Sequence, residues 1–163
     1  MKKIIFRVDD RLIHGQVIEG WIKHFKINHI ILVNDRVASN PLQKMIYSST
    51  LPPGTEISVL TLEEFIASFR SERYKKDYVL VILESVDDLY KIKNIISDDV
   101  YVNIGCVASR EHKIEVSNTV FLNPEEINKV CEIREKYEVF IHKVAWEPSV
   151  EIKNFHDILE GNL

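Results

Sequence analysis

The chain has 163 residues, of which 45% are hydrophobic and 28% charged, and its formal net charge is −4 at pH 7. This length and composition predict one domain, residues 1–163, with a proper core, and the acidic balance argues against non-specific nucleic-acid binding, which needs a basic face. No window approaches the roughly 18 apolar residues of a membrane span, and two cysteines without CxxC spacing indicate thiols in a reducing compartment. We therefore expect a cytoplasmic protein.

The first predicted strand is a short apolar run at residues 4–6, and the first predicted helix covers residues 16–26, where apolar side chains recur at helical spacing. Between them, at residues 7–17, lies the segment RVDDRLIHGQV, with two arginines, two acids, a histidine and a glycine. Open α/β sheets bind ligands at the carboxyl ends of their strands. We therefore expect this loop to carry the chemistry of the protein.

The rest of the chain alternates strand-like and helix-like patterns. Further strands are predicted at residues 30–33, 56–60, 78–83, 100–104, 119–122 and 138–144. Capping residues predict helix starts at Asn40-Pro41, Thr61 with Glu64, Ser85 with Asp88, and Asn123-Pro124, and a last helix is predicted near residues 154–159. The alternation predicts a single-domain α/β fold, with a mainly parallel sheet of six to seven strands and helices on both faces. Right-handed crossovers would bring the loops after these strands to one edge of the sheet.

His14 lies just before the first helix begins, where free backbone N–H groups and the helix dipole favour an anion. A neutral imidazole nitrogen is a good nucleophile near pH 7, and a phosphoryl group on it forms a labile N–P bond. Transfer of such a group needs positioning and positive charge on its oxygens. Arg11, three residues before His14, offers a planar fork of donors for those oxygens. The pattern therefore favours a phosphoryl group carried on His14.

The neighbours of His14 complete the predicted site. The backbone amides expected to receive the anion are those of Gly15, Gln16 and Val17, and the glycine lets a ligand approach closely. Asp10 or Asp9 would orient Arg11 or hold the second imidazole nitrogen. The sequence pattern does not decide between these two acids.

Other interpretations of the same residues stay open. A single histidine in a loop is usually a surface or structural residue, and Asp-Asp-Arg at a strand end is often only a local ion pair. The carboxylates of Asp9, Asp10 and Asp35 also fit a Mg²⁺ site, and an acidic pair after the first strand is typical of a receiver-like signalling module that is phosphorylated on an aspartate. Against that alternative, the predicted strand at residues 56–60 ends without an aspartate to accept the group. Trp146 is compatible with a partner contact or with packing of the tail.

The segment at residues 7–17 closely resembles the active-site segment of the IIB components of the mannose/fructose/sorbose family of the bacterial phosphoenolpyruvate-dependent sugar phosphotransferase system (PTS). Similar segments follow in the expected order: ILVND at residues 31–35, LPPG at 51–54, VNIG at 102–105 and NTVFL at 118–122. The resemblance covers essentially the whole chain. One departure is that Gly105 is followed by Cys106, where family members commonly have a second glycine, and this predicts a reshaped loop near the active edge.

The resemblance implies a phosphocarrier enzyme, a phosphohistidine–sugar phosphotransferase. The family's histidine, loop arginine and neighbouring aspartate fall on His14, Arg11 and Asp10. His14 would take the phosphoryl group from a phosphohistidine on IIA, expected here as a separate protein, and pass it to a sugar that enters through the membrane subunits IIC and IID. No metal or other cofactor is expected. The protein would lie in the cytoplasm at its membrane transporter, and a homo-oligomer is compatible with the sequence. The sugar is not readable, and the resemblance points to Nδ1 of His14 as the phosphorylated nitrogen.

Overall fold

One seven-stranded sheet organises the structure, a computed structural model that describes residues 4–74, 77–97 and 99–151. Its strand order is β3-β2-β4-β1-β5-β8-β9, in which β9 alone pairs in the antiparallel sense. The strands of this sheet are β1 (Ile4–Asp9), β2 (His29–Val33), β3 (Glu56–Leu60), β4 (Val79–Leu83), β5 (Val100–Cys106), β8 (Val139–Ile141) and β9 (Val150–Glu151). The predicted α/β fold with a mainly parallel sheet is confirmed.

The helices connect these strands. The chain leaves the loop after β1 in a six-residue π-helical segment, Val17–Ile22, which we call the π segment and which continues into one α-helical turn. The α-helices are α1 (Lys23–Phe25), α2 (Asp35–Ala38), α3 (Pro41–Thr50), α4 (Leu62–Ser68), α5 (Val86–Ile92) and α6 (Pro124–Arg134), and a 3₁₀ turn spans Ser71–Tyr74.

Side-chain caps begin four of these helices at the predicted positions. The side chain at each helix start accepts a backbone N–H from the first turn, and the capping residues are Asn40, Thr61, Ser85 and Asn123. At Thr61 and Asn123 the glutamate three residues later returns the contact and completes a capping box. These bonds satisfy donors that a helix leaves without a partner in its first turn.

Two apolar layers cover the sheet, one on each face, because successive strand residues point in opposite directions. In β1, Phe6 and Val8 pack in the layer that contains α4, α5 and α6, whereas Ile5 packs in the layer that contains the π segment. Arg7 and Asp9 alternate with Phe6 and Val8, so these two charged residues share the face of the π segment.

The structure differs from the prediction at two elements near the carboxyl end. Residues 119–122 do not join the main sheet: β7 (Val120–Leu122) pairs antiparallel with β6 (Ile114–Ser117), for which no strand is predicted. The predicted strand at residues 138–144 is only three residues long, because the chain turns after β8. The helix predicted near residues 154–159 lies outside the described residues.

The loops that follow the parallel strands meet at one edge of the sheet, as predicted. The Ala108 N–H, after β5, donates to the Asp10 carboxylate, after β1, at 2.7 Å. Likewise the Asn34 side chain, after β2, donates to Glu84, after β4, at 2.5 Å. Asn34 and Glu84 also help to line a cleft of about 420 Å³.

Candidate active site

His14 lies in the loop between β1 and the π segment, at the carboxyl edge of the sheet. Its side chain is 20% exposed. Its Nε2 atom lies 3.1 Å from Oδ2 of Asp9, and its Nδ1 atom lies 3.3 Å from the backbone nitrogen of Gln16. Both ring nitrogens therefore have partners within the loop, while part of the ring stays accessible to solvent.

Asp9 is the centre of the site, and its side chain is fully buried. Besides His14, its Oδ2 atom accepts a hydrogen bond from Nη2 of Arg7 at 2.8 Å. Its Oδ1 atom accepts the backbone N–H of Arg11 at 3.1 Å and the Nε–H of Arg11 at 3.4 Å. Burial acts to raise the pKa of Asp9, but the hydrogen bond from His14 and the charge of Arg7 outweigh it, and the pKa lies below its ordinary value. Asp9 is therefore ionised at neutral pH.

Asp10 contacts neither Arg11 nor His14, although the resemblance implied a role for it beside them. Its carboxylate accepts the Ala108 N–H at 2.7 Å, and its own N–H donates to the Cys106 carbonyl at 3.1 Å. The contacts with Arg11 and His14 belong to Asp9, because alternation along β1 gives Asp9 the face of the π segment. Asp10 instead ties the loop after β5 to the end of β1.

Arg7 is a buried residue of the site to which the sequence analysis gave no role. Its Nη1 atom donates to Oδ1 of Asn103 at 2.5 Å and to the His142 carbonyl at 2.9 Å, and its guanidinium lies 4.6 Å from the ring centre of Trp21. Burial lowers the pKa of Arg7 and the charge of Asp9 opposes that shift, so the pair stabilises both charges. The sequence does contain a signal for this role: an arginine and an aspartate stand two residues apart in an otherwise apolar strand, so both side chains lie on the same face of the sheet.

Gly105 makes room for Arg7. A Cβ atom at Gly105 would lie 2.1 Å from Cζ of Arg7, which is far inside contact distance. The next residue, Cys106, pairs with Asp9 across a register shift between β1 and β5. Burial raises the pKa of the half-buried Cys106 thiol. Gly105, the first glycine of the pair that the resemblance leads us to expect, is therefore a steric requirement here. Cys106, which stands where the second glycine is expected, lies at the register shift between β1 and β5.

The loop between Asp9 and His14 is shaped by one residue with a left-handed backbone. Leu12 has φ of 57°, and its N–H closes a turn on the Asp9 carbonyl at 3.0 Å. This conformation costs a non-glycine residue on the order of 1 kcal/mol. The Leu12 side chain is 3% exposed and packs with Ile13 and Val17, so burial offsets the strain.

The hydrogen bonds assign the tautomer of His14. Asp9 is ionised and can only accept, so Nε2 of His14 carries the proton. Nδ1 then holds the lone pair, and it accepts the backbone N–H of Gln16. The Nδ1 lone pair therefore faces the start of the helix, at Gln16, whose side-chain Oε1 accepts Nη2 of Arg11 at 3.1 Å.

The three amides predicted to bind an anion are in different situations. The Val17 N–H donates to the His14 carbonyl at 2.9 Å, so it is used inside the helix in this conformation. The Gln16 N–H faces Nδ1 of His14, and Gly15 is exposed, with nothing within 4 Å of the position of a Cβ atom. Gly15 and Gln16 stay predicted anion donors, whereas the Val17 amide would first have to leave its present partner.

The contacts of Asp9 do not favour the alternative Mg²⁺ site. That site was predicted from Asp9, Asp10 and Asp35, but the Asp35 carboxylate accepts the Leu62 N–H at 2.8 Å, and the ligand atoms that lie within 4.8 Å of one another are those of Asp9, Asp10 and Cys106. However, the Asp9 oxygens already face Arg7, Arg11 and His14, and the positive charges of the two arginines disfavour the binding of Mg²⁺ at the same carboxylate. A receiver-like module would need that carboxylate for its metal ion.

Trp146 lies beside the helix that follows His14. Its side chain is 61% exposed, yet its ring stands against Gly20, where a Cβ atom would lie 3.0 Å from Cζ3 of the tryptophan. The same turn of the chain supplies the Lys143 carbonyl, which accepts from Arg7 at 3.3 Å and from Trp21 at 3.4 Å.

Across the described ranges, none of the helices has the length and apolar character that a membrane crossing requires.

Comparison with known proteins places this chain in a family. Residues 3–162 match the family model described as "PTS system sorbose subfamily IIB component". The mannose-specific EIIAB component of Escherichia coli strain K12 is 28% identical over 147 residues, which are 90% of this chain and 46% of that protein. The sorbose-specific EIIB component of Klebsiella pneumoniae is 29% identical over 153 residues, 93% of each chain. The chain thus spans about half the length of the first curated relatives it matches.

Two solved structures share the fold over nearly their full length. The IIBSor domain of the sorbose permease from Klebsiella pneumoniae superposes with a TM-score of 0.82 at 28% identity, covering 99% of this chain and 98% of that one. The N-acetylgalactosamine-specific IIB component 1 from Escherichia coli gives 0.80 at 25% identity, covering 92% and 99%. The chain therefore belongs to the sorbose subfamily of PTS IIB components, within the mannose/fructose/sorbose family.

Proposed function

We propose that this protein is a phosphocarrier that accepts a phosphoryl group on Nδ1 of His14 and transfers it to a sugar. The observation that carries the proposal is the pairing of Nε2 with the ionised Asp9 carboxylate, which leaves the lone pair on Nδ1. Arg11 supplies positive charge in the same loop, where its Nη2 donates to Gln16, and its side chain is 42% exposed, so a partner can reach it. Family membership supports the same reaction class.

In the first step the Nδ1 lone pair of His14 forms the new N–P bond. The N–P bond of the donor breaks, and its electron pair returns to the donor's nitrogen. The proton on Nε2 stays in place, and the positive charge that develops on the ring is stabilised by Asp9 at 3.1 Å. Arg11 balances the charge on the phosphoryl oxygens. The donor is a phosphohistidine on a IIA protein or domain.

In the second step a sugar hydroxyl attacks phosphorus, the N–P bond to His14 breaks, and the electron pair returns to Nδ1 while the hydroxyl proton is released. The sugar is presented by membrane subunits of the IIC and IID type, so the protein works on the cytoplasmic side of the membrane. The names of relatives include mannose, sorbose and N-acetylgalactosamine, each for its own protein. Both partners must reach the same partly exposed ring in turn.

The test is phosphorylation by phosphoenolpyruvate, enzyme I, HPr and a cognate IIA, followed by mass mapping of the labelled peptide. We expect label on His14 that is stable in base and lost in acid, and none on the His14→Ala variant. The matched control is His112→Ala, since the His112 side chain is 87% exposed and lies in the loop after β5. Label that survives in His14→Ala, or an acyl phosphate labile in both acid and base, would favour the receiver-like alternative and overturn the proposal.

A further inference from the structure

Gln16 contacts both the nucleophile and the cation of the site. Its backbone N–H lies 3.3 Å from Nδ1 of His14, and its side-chain Oε1 accepts Nη2 of Arg11 at 3.1 Å. The second bond holds Arg11 more closely than the 3.4 Å contact between its Nε and Asp9. Together Oε1 of Gln16 and Oδ1 of Asp9 fix the direction of the planar Arg11 guanidinium, which would otherwise be free to change rotamer because the side chain is partly exposed.

Both contacts of Gln16 are of a kind that a phosphoryl group can replace. A separation of 3.3 Å is at the long end for an N–H bond, so Nδ1 of His14 gives it up at small cost. The bond from Arg11 runs to a neutral amide oxygen, which is a weaker acceptor than a phosphoryl oxygen. A carboxylate at this position would instead hold Arg11 as an ion pair and repel the incoming dianion.

We propose that the Gln16 side chain is a positioning residue that holds Arg11 beside Nδ1 of His14 until the phosphoryl group arrives. As the N–P bond forms, the donor's N–P bond breaks and its electron pair stays with the donor nitrogen. The Arg11 Nη2 donor then passes from Oε1 of Gln16 to a phosphoryl oxygen, and the Gln16 N–H, released from Nδ1, turns to the same group. This inference rests on the proposed function of His14. It adds the positioning of Arg11 by the Gln16 side chain, which the Gln16 backbone N–H does not perform.

The fold does not depend on this side chain, so substitution can isolate its task. Gln16 is half-buried at the rim of the loop, and it precedes the buried Val17, which anchors the helix. Gln16→Met keeps the length of the side chain and the backbone N–H but removes the acceptor for Arg11. Glu19→Gln is a control on the exposed side of the same helix, where the Glu19 side chain pairs with Lys23.

The experiment is a double-mutant cycle on the single-turnover rate of His14 phosphorylation by phospho-IIA, measured over a range of donor concentrations. We expect Gln16→Met to lower the maximal rate about tenfold, with the half-saturating donor concentration unchanged, because one hydrogen bond that orients Arg11 is lost. Arg11→Ala alone should cost about a hundredfold. Adding Gln16→Met to Arg11→Ala should cost nothing further, because Gln16 acts through Arg11. Glu19→Gln should retain the parent rate.

Three results would overturn this inference and leave the proposed function standing, and the first two are a wild-type rate in Gln16→Met and the same tenfold loss in both backgrounds. A loss confined to the half-saturating donor concentration would also overturn it, since that indicates a docking contact rather than positioning. Absence of label on wild-type His14 would overturn both proposals together. Gln16→Glu gives a second check, because its ion pair with Arg11 should make transfer slower than in Gln16→Met.

Discussion

Arg7 and Asp9 form a fully buried ion pair, and Nη1 of Arg7 also donates to Oδ1 of Asn103 and to the His142 carbonyl. Removing one partner of such a pair costs roughly 3–5 kcal/mol, because the other charge is left buried without compensation. The pair therefore has two consequences. It fixes Asp9 in the position from which it holds His14, and it makes the site sensitive to any change that moves Arg7.

The two neighbouring acids should differ sharply when each is replaced by its amide. Asp9→Asn removes the charge that stabilises the developing imidazolium of His14, so we expect phosphorylation to slow by about a hundredfold or more. Asp10→Asn should slow it only a few-fold, because an amide oxygen can still accept the Ala108 N–H. The rates are measured well below each variant's unfolding temperature, and ¹⁵N NMR of the His14 ring should show a loss of the Nε2–H tautomer in Asp9→Asn alone. A larger loss in Asp10→Asn would return the positioning role to Asp10.

Gly105 gives a steric test of the same pair. Gly105→Ala places a Cβ atom 2.1 Å from Cζ of Arg7, so the guanidinium must leave Asp9, and we expect a loss of about 3 kcal/mol or more in the free energy of unfolding. Gly15→Ala is the matched control, since its Cβ would meet nothing within 4 Å, and its stability should be equal or slightly higher. Chemical denaturation measures both. Equal stability of the two variants would mean that Arg7 can be moved without cost.

At the scale of the elements, the helices are the part of the fold with the clearest local causes. The helices α3, α4, α5 and α6 each begin at a side chain that caps the first turn. The short hairpin of β6 and β7 has no such local signal. Its pairing with the loop after β5 at Val107 and Val120 depends on the rest of the sheet.

The cap of α6 has a measurable share in stability. Asn123→Ala removes the side-chain acceptor for the Glu126 N–H at 2.8 Å and leaves only the backbone N–H of residue 123 donating to the Glu126 carboxylate, so we expect a loss of about 1 kcal/mol in the free energy of unfolding. Asn128→Ala makes the same substitution at an exposed position inside α6 and should be neutral or slightly stabilising, because alanine has the higher helix propensity. Urea denaturation distinguishes the two. A similar loss at both positions would assign the effect to asparagine in general rather than to the cap.

At the scale of the whole molecule, buried titratable groups link stability to pH. Burial lowers the pKa of His142, whose ring contacts Tyr101 and the Glu147 carbonyl and whose own carbonyl accepts from Arg7. The unfolded chain therefore binds a proton at this histidine at a higher pH than the folded chain does. Stability falls as pH decreases below about 6.5, the ordinary histidine value, and it falls further below about pH 4, where the unfolded form of Asp9 takes up a proton first.

We expect the free energy of unfolding of the wild-type protein to decrease between about pH 6.5 and pH 5, and this slope to be smaller in His142→Gln. Urea titrations at several pH values measure the slope. The control is His112→Gln, at an exposed histidine, which should keep the wild-type slope. An unchanged slope in His142→Gln would show that other groups carry the dependence on pH in this range.

The sequence by itself determined the class of fold and the family. Apolar runs at a period of two and of 3.6 residues set the order of strands and helices, and capping residues such as Thr61 and Asn123 set helix starts, because these signals act within one or two turns of chain. The motif around His14 was long enough to identify the family. These features are local, so they can be read before the chain folds.

Only the tertiary structure decided which acid contacts His14 and which groups hold that acid in place. Asp9 and Asp10 are chemically identical, and the difference between them is the face of β1 on which each lies and the partners found there. Arg7 is explained by groups far along the chain, Asn103 and the His142 carbonyl, and Gly105 by the space that Arg7 fills. Such contacts join residues that are separated by up to 135 positions, and no local pattern encodes them.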